Sequence, residues 1–291
     1  MNSLIQELKY NFQRKDNGLV KIILINVIFF IVVSVIFVFS KVSKNLILYN
    51  FIEENIHLPA HFDNFLKKPW TLITYFFSHA DIFHILFNML GLYWFGNLIV
   101  EYLGNRRLVN LYILGGLFSG LFFLLLFNFV PFFKETNTSG LIGASGAVYA
   151  VVIGAATLLP DYSFFLIFFG PVKIKYIAWI FVFISFIGSV QENAGGNVAH
   201  LGGALLGFIF VTQLKRGNDI GKPISKTGDF INKIFTKKTE MKVSYKGKPS
   251  EVKFEAPDQK EIDAILDKIN HTGYESLSKE EKQKLFKASQ K

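Results

Sequence analysis

Two residues of this 291-residue sequence could do nucleophilic chemistry from inside long uncharged runs. Ser145 lies in Gly143-Ala144-Ser145-Gly146, and His200 in Ala199-His200-Leu201-Gly202-Gly203. A hydroxyl within hydrogen-bond reach of an imidazole makes a nucleophile and its general base. Such a serine also needs donors for the oxyanion that develops on its target, each well-placed one worth about 3–4 kcal/mol. His84 and Asn88 are candidates, four residues apart and so on one helix face, with the Ser145 backbone N–H as a third. Tyr149, one turn beyond Ser145, can stack on the imidazole in place of an orienting carboxylate. The chain has no cysteine, which excludes disulfides, thiolate metal sites and a thiol nucleophile.

Those residues must be held by membrane helices. Stretches free of Asp, Glu, Lys and Arg cover residues 22–40, 82–100, 108 to about 133, about 141–159, about 176–190 and about 198–214. A hydrocarbon core ~30 Å thick needs about 20 such residues per helix. The composition, 51% apolar with 33 Phe, agrees with an all-α membrane protein of six spans. The first run is too long and too late for a cleavable signal peptide. A Phe-rich run at 164–169 is too short to span and is expected to be a loop touching the interface.

Lysine and arginine set the orientation. One side collects Lys9, Arg14, Lys15, Lys21, Arg106, Arg107, Lys173, Lys175, Lys215, Arg216, Lys222 and Lys226; the other has Lys41, Lys44, Lys67, Lys68 and Lys134. Both termini are therefore expected in the cytoplasm, of a bacterial inner membrane. The net charge of +9 needs no nucleic acid to explain it. Spans two, four and six then all start at the outer face, which places His84, Asn88, Ser145 and His200 at one shallow depth. Gly146, Ala150 and Gly154 form a small-residue stripe on the fourth span, and Gly203 and Gly207 another on the sixth. Such stripes let backbones approach closely in lipid.

Each of these residues has an ordinary use: serine beside glycine packs, a membrane histidine is commonly a hydrogen-bonded structural residue, and asparagine ties helices together. Four of them at matched depth on three helices favour catalysis, because polar groups are costly there. The organisation expected is a cytoplasmic segment (1–21), the membrane domain (22–215), a lysine-rich linker (216–257) with a weak hairpin near 245–248, and a helix-turn-helix tail (258–291). In the tail, Asp258 with Glu261 and Ser278 with Glu281 have capping-box spacing.

The Gly143-Ala144-Ser145-Gly146 motif, His79 with the His84-Ile85-Leu86-Phe87-Asn88 run, and Ala199-His200 with Gly203 and Gly207 together resemble the rhomboid intramembrane serine proteases. The resemblance covers about residues 68–215. It implies a six-helix bundle with Ser145 as nucleophile and His200 as base, and an oxyanion hole of His84, Asn88 and the Ser145 amide. It also implies Tyr149 packed on His200, His79 organising the loop before the second span, and Glu101 at that span's inner end. Substrates would be single-span or polytopic membrane proteins cut near the outer side, with the bilayer as surroundings and no cofactor or metal. The family often carries Trp-Arg before the histidine motif; here Trp70 precedes Thr71, which bears on how the first outer loop (about 42–78) is anchored. The closest rival is a catalytically silent membrane adaptor or chaperone of the same superfamily, against which stand both Ser145 and His200. A transporter would be expected to place acidic residues in its spans or to repeat its halves, and neither is evident. The His57/His61 and His79/His84 pairs match no metal motif.

Overall fold

The computed structural model describes residues 17–135, 140–166, 168–235 and 258–288. It divides into two compact units, residues 1–237 and 238–291. In the first, six helices carry the apolar runs: α1 (Gly18–Val42), α5 (Ile82–Leu103), α6 (Asn105–Phe129), α8 (Ser145–Leu158), α9 (Ile174–Gly188) and α10 (Ala194–Lys215). Four of them, α1, α5, α6 and α10, are long and apolar enough to cross a membrane; α8 and α9 are shorter apolar helices. Between α1 and α5 lie the short helices α2 (Ile47–Ile56), α3 (Phe62–Lys67) and α4 (Thr71–Thr74). A four-residue helix, α7 (Pro131–Lys134), follows α6.

Helix α8 is the centre of the bundle. Ten of its fourteen residues are Gly, Ala, Val or Ile, and those ten are the buried ones. It packs against α5, α6, α9 and α10. The two small-residue stripes meet as expected: a side chain added at Gly203 would run into the Gly146 carbonyl, and one at Gly207 into that of Ala150. Helix α1 is the opposite case, the most hydropathic of the spans, with only 11% of its apolar window buried. One polar residue ties it in: Asn26, fully buried, donates to Tyr112 Oη at 3.0 Å. Tyr112 donates in turn to the Phe76 carbonyl at 3.2 Å.

Several boundaries differ from the sequence reading. Helix α5 runs on to Leu103, taking Glu101 inside its last turn, and ends where Gly104 adopts φ +83°. Helix α6 stops at Phe129, with Pro131 opening α7. Residues 141–144, apolar and uncharged, are not helical; Leu141 forms a β-bridge with Leu58. The Phe-rich run, expected to be a loop, lies in a two-stranded antiparallel hairpin of β1 (Ser163–Leu166) with β2 (Gly170–Lys173). Helix α10 begins at Ala194, a turn before the expected 198. Within the stretch read as a flexible linker lies α11 (Lys222–Phe235). The hairpin expected near 245–248 falls outside the described residues.

The second unit contains α12 (Gln259–Thr272) and α13 (Lys279–Ala288), with Ile262, Ile265 and Leu277 buried. The Ser278/Glu281 capping box forms: the Glu281 carboxylate accepts from Ser278 N–H at 2.7 Å, and Ser278 Oγ from Glu281 N–H at 3.2 Å. At Asp258 the side chain makes no cap, so the same spacing there has no matching bond.

The packing of α8 on α10 leaves no room for a methyl group. Gly203→Ala and Gly207→Ala should each destabilise the bundle by roughly 1–3 kcal/mol, the usual cost of overpacking. Thermal unfolding of the purified variants beside wild type measures this, and an unchanged midpoint would place the contact elsewhere.

Candidate active site

Ser145 is the first residue of α8. Fourteen residues of helix reach about 21 Å at 1.5 Å each, against a hydrocarbon core of about 30 Å. The non-helical residues ahead of Ser145 are pinned to the connection between α1 and α5. Leu58 and Leu141 exchange backbone bonds at 3.0 and 2.8 Å, and Gly143 N–H donates to the Tyr75 carbonyl at 3.0 Å. Tyr75 in turn donates its hydroxyl to the Gly116 carbonyl on α6 at 2.6 Å. Gly143 sits at φ +113° with the His84 ring against its α-carbon; a Cβ there would lie 2.7 Å from His84 Nε2. Both observations require glycine.

Five of the residues singled out by the sequence line one cavity of about 700 Å³: His84, Asn88, Ser145, Tyr149 and His200. They come from α5, α8 and α10. Asp81 caps α5, its carboxylate accepting from the N–H groups of Phe83 and His84 at 2.8 and 2.9 Å. Asn88 donates one amide hydrogen to the His84 carbonyl at 2.9 Å, and its amide carries a second. Ser145 and His200 face the cavity half-buried, and no hydrogen bond joins them among the described residues. Gly146, Gly203 and Gly207 lie in the α8–α10 contact rather than at the cavity wall.

The imidazole of His200 is held on two sides. Its ring lies flat on Tyr149, centres 4.2 Å apart and planes within 9°. Its Nδ1 is 3.2 Å from Ser185 Oγ on α9. Ser185 donates to Tyr149 Oη at 2.9 Å, and Tyr149 donates to the Phe181 carbonyl at 3.5 Å. A hydroxyl has a single proton. With Ser185's proton committed to Tyr149, its lone pair accepts from Nδ1–H, so the network assigns the hydrogen to Nδ1 and leaves Nε2 an acceptor. Ser185 is fully buried in a helix whose other faces are mostly exposed and apolar. The sequence reading passes over it because a lone hydroxyl carries no charge; its only signal is polarity on the buried stripe with Ile174 and Ala178.

His79 lies outside this cavity, buried at 6% exposure, edge-on to His84 with ring centres 5.1 Å apart. Neither ring nitrogen makes a hydrogen bond, although the Phe77 carbonyl lies close enough to favour the charged form. Burial, then the nearby His84, holds His79 below the ordinary histidine range, at about 4.

Fold and cavity together define a polytopic helical membrane protein in which Ser145, His84 and His200 share one cavity. A model of the rhomboid domain matches residues 66–216, and the chain belongs to the rhomboid family. Residues 255–291 match a family of unknown function, DUF6576. The chain is 32% identical over 166 residues to RHOMBOID-like protein 12, mitochondrial, of Arabidopsis thaliana, covering 53% of this chain and 49% of that protein. It is 31% identical over 157 residues to Rhomboid protein 1, mitochondrial, of Saccharomyces cerevisiae, with 50% and 42% covered. To the human Presenilin-associated rhomboid-like protein, mitochondrial, it is 30% identical over 158 residues, with 50% and 38% covered. The chain thus spans about half, or less, of the length of these relatives. Their names are mitochondrial, so they lend no support to the expected bacterial inner membrane.

A histidine kept neutral by burial stabilises the fold above its unfolded value near 6.5, and that contribution is lost as pH falls toward about 4. The unfolding midpoint of wild type should therefore drop more steeply between pH 7 and pH 4.5 than that of His79→Phe. Parallel slopes would remove His79 as the cause.

Proposed function

We propose that the chain is an intramembrane serine endopeptidase, with Ser145 as nucleophile and His200 as general base. The observation that carries the reading is the seating of His200: stacked on Tyr149, bonded through Nδ1 to Ser185, and lining the same cavity as Ser145. Nε2 is then the nitrogen available to take the Ser145 proton. As it does so, Oγ attacks the peptide carbonyl carbon and the carbonyl oxygen becomes an oxyanion. The Ser145 N–H, one of the donors that the first turn of a helix leaves without an intrahelical partner, supports that charge with His84 and Asn88. The protonated His200 next gives its proton to the leaving amine, and the C–N bond breaks to leave an acyl-enzyme. Water, deprotonated by His200, attacks the ester; Ser145 recovers its proton and the new carboxyl end departs.

The cavity lies at the Ser145 end of α8, the outer end by the lysine and arginine count, so the substrate bond is cut near that face. A helical carbonyl is already bonded within its own helix, and the substrate must unwind locally. Membrane proteins with small or helix-breaking residues at the outer end of a span are the substrates expected, whether single-span or polytopic. Both termini of this chain sit on the side richer in lysine and arginine, the cytoplasmic side or its equivalent.

The test is cleavage of a single-span substrate by purified protein in lipid vesicles. Ser145→Ala should fold and lose activity on the order of 10³-fold or more; normal cleavage by it would sink the proposal. No cleavage by folded wild type, with substrate still bound, would favour the adaptor reading. Ser185→Ala should slow cleavage about threefold to tenfold, the worth of one hydrogen bond, and move the acid limb of the pH–rate profile. Ser185→Thr, which keeps the hydroxyl, should restore both. A rate loss with an unchanged profile would make Ser185 a packing residue only.

A further inference from the structure

Helix α11 is the most strongly amphipathic of the described helices, and the proposed chemistry does not use it. Six residues separate it from the end of α10 at Lys215, so its first turn lies close to the membrane face at which α10 ends. That same end carries the α5–α6 corner. Asn110 and Ser225 hydrogen-bond mutually at 2.7 and 3.1 Å, Arg107 pairs with Asp219 at 3.4 Å, and Arg106 pairs with Asp229. Gly221 is pressed against Asn110, where a Cβ would lie 2.8 Å from the asparagine side chain.

These contacts fix which way α11 is turned. Ser225 and Asp229, four apart on one face, point at the bundle. By the 3.6-residue repeat, Ile224 falls on the other side of the helix. Phe230 is 65% exposed. Between α11 and the α5–α6 corner is a cleft of about 470 Å³ lined by Arg106, Arg107, Lys222 and Lys226, with the mutually bonded Asn110 and Ser225 as its neutral polar members. Asp219 is its acidic member, and neither Lys222 nor Lys226 has an acidic partner among the described residues.

We propose that α11 and the α5–α6 corner form a binding site for anionic phospholipid of the leaflet on the Arg106 side. The lipid phosphate enters the basic cleft, and the apolar face of α11 lies in the headgroup–acyl boundary. Charge and connectivity choose this occupant: the cleft carries an excess of cations, the bilayer is within reach of a six-residue connection, and an amphipathic helix with basic flanks seats itself in an anionic interface. The inference rests on the chain being a membrane protein and not on the protease reading.

The chain has no cysteine, so Phe230→Cys gives a single site for a nitroxide label. In vesicles containing phosphatidylglycerol the label should be more accessible to oxygen than to a water-soluble nickel chelate. Native mass spectrometry of the full chain should show phosphatidylglycerol retained over phosphatidylcholine, with that preference about thirtyfold weaker in the Lys222→Gln/Lys226→Gln double variant, about fivefold per lysine. A nickel-accessible label, equal retention of the two lipids, or a double variant like wild type would overturn the proposal. So would displacement of the bound lipid by inorganic phosphate, which would assign the cleft to free anions.

Discussion

The backbone contact between α8 and α10 is the constraint on which the rest of the structure depends. Gly203 meets the Gly146 carbonyl and Gly207 meets that of Ala150, with no side chain between the helices. In lipid the association of helices draws on packing rather than on the hydrophobic effect. Ser145 precedes Gly146 by one residue, and His200 precedes Gly203 by three. The closest approach of the two backbones is thus within a turn of both side chains, and their separation is set by main chain rather than by flexible rotamers. Ser119 of α6 joins at the same level, its hydroxyl buried against Gly146 and Gly203 with no hydrogen-bond partner among the described residues.

A second constraint follows from the shortness of α8. Backbone that leaves the helix at membrane depth must be paired by protein, because lipid offers no hydrogen bonds. The connection between α1 and α5, read from the sequence as the first outer loop, supplies those partners through the Leu58–Leu141 bridge and the Tyr75 carbonyl. Asn128 fastens the same loop from the far end of α6, donating to the Ala60 carbonyl at 2.8 Å and accepting from Phe62 N–H at 3.1 Å. The outer loop is therefore structural support for the segment that presents Ser145, which explains why so much of it is hydrogen-bonded to the bundle.

The spans and the two stripes were legible because absence of charge and four-residue spacing are direct consequences of lipid solvation. Boundaries slipped where those signals say nothing. Residues 141–144 are as apolar as a span, yet Gly140 and Gly143 take positive φ and Leu141 pairs as a strand would. Asn193 and Asn197 look like loop but flank and enter α10, where Asn197 donates to the Gly188 carbonyl at 3.0 Å and closes the turn from α9. Ser185 and Asn26 carry no charge, so a search for ionisable groups does not find them, although each makes a buried polar contact between a largely exposed helix and the bundle. Helix α11 hides in a lysine-rich stretch because its apolar residues are few; only their period distinguishes it.

The Trp70–Thr71 pair shows how a departure from a family pattern can be absorbed. Without an arginine after Trp70, the outer loop must find other donors, and it has them. Trp70 Nε1 donates to the Asn55 carbonyl at 3.0 Å, Thr74 Oγ1 to that of Ile56 at 2.9 Å, and Lys68 Nζ to that of Glu54 at 3.0 Å. These three consecutive carbonyls belong to the last turn of α2, whose terminal C=O groups have no intrahelical partner and carry the negative end of the helix dipole. Thr71 itself turns inward, buried, with Oγ1 donating to the Lys68 carbonyl at 2.6 Å. An arginine at that buried position would need a carboxylate or several carbonyls to offset its desolvation. Threonine meets its hydrogen-bonding need within its own turn, and the anchoring of α2 passes to its neighbours.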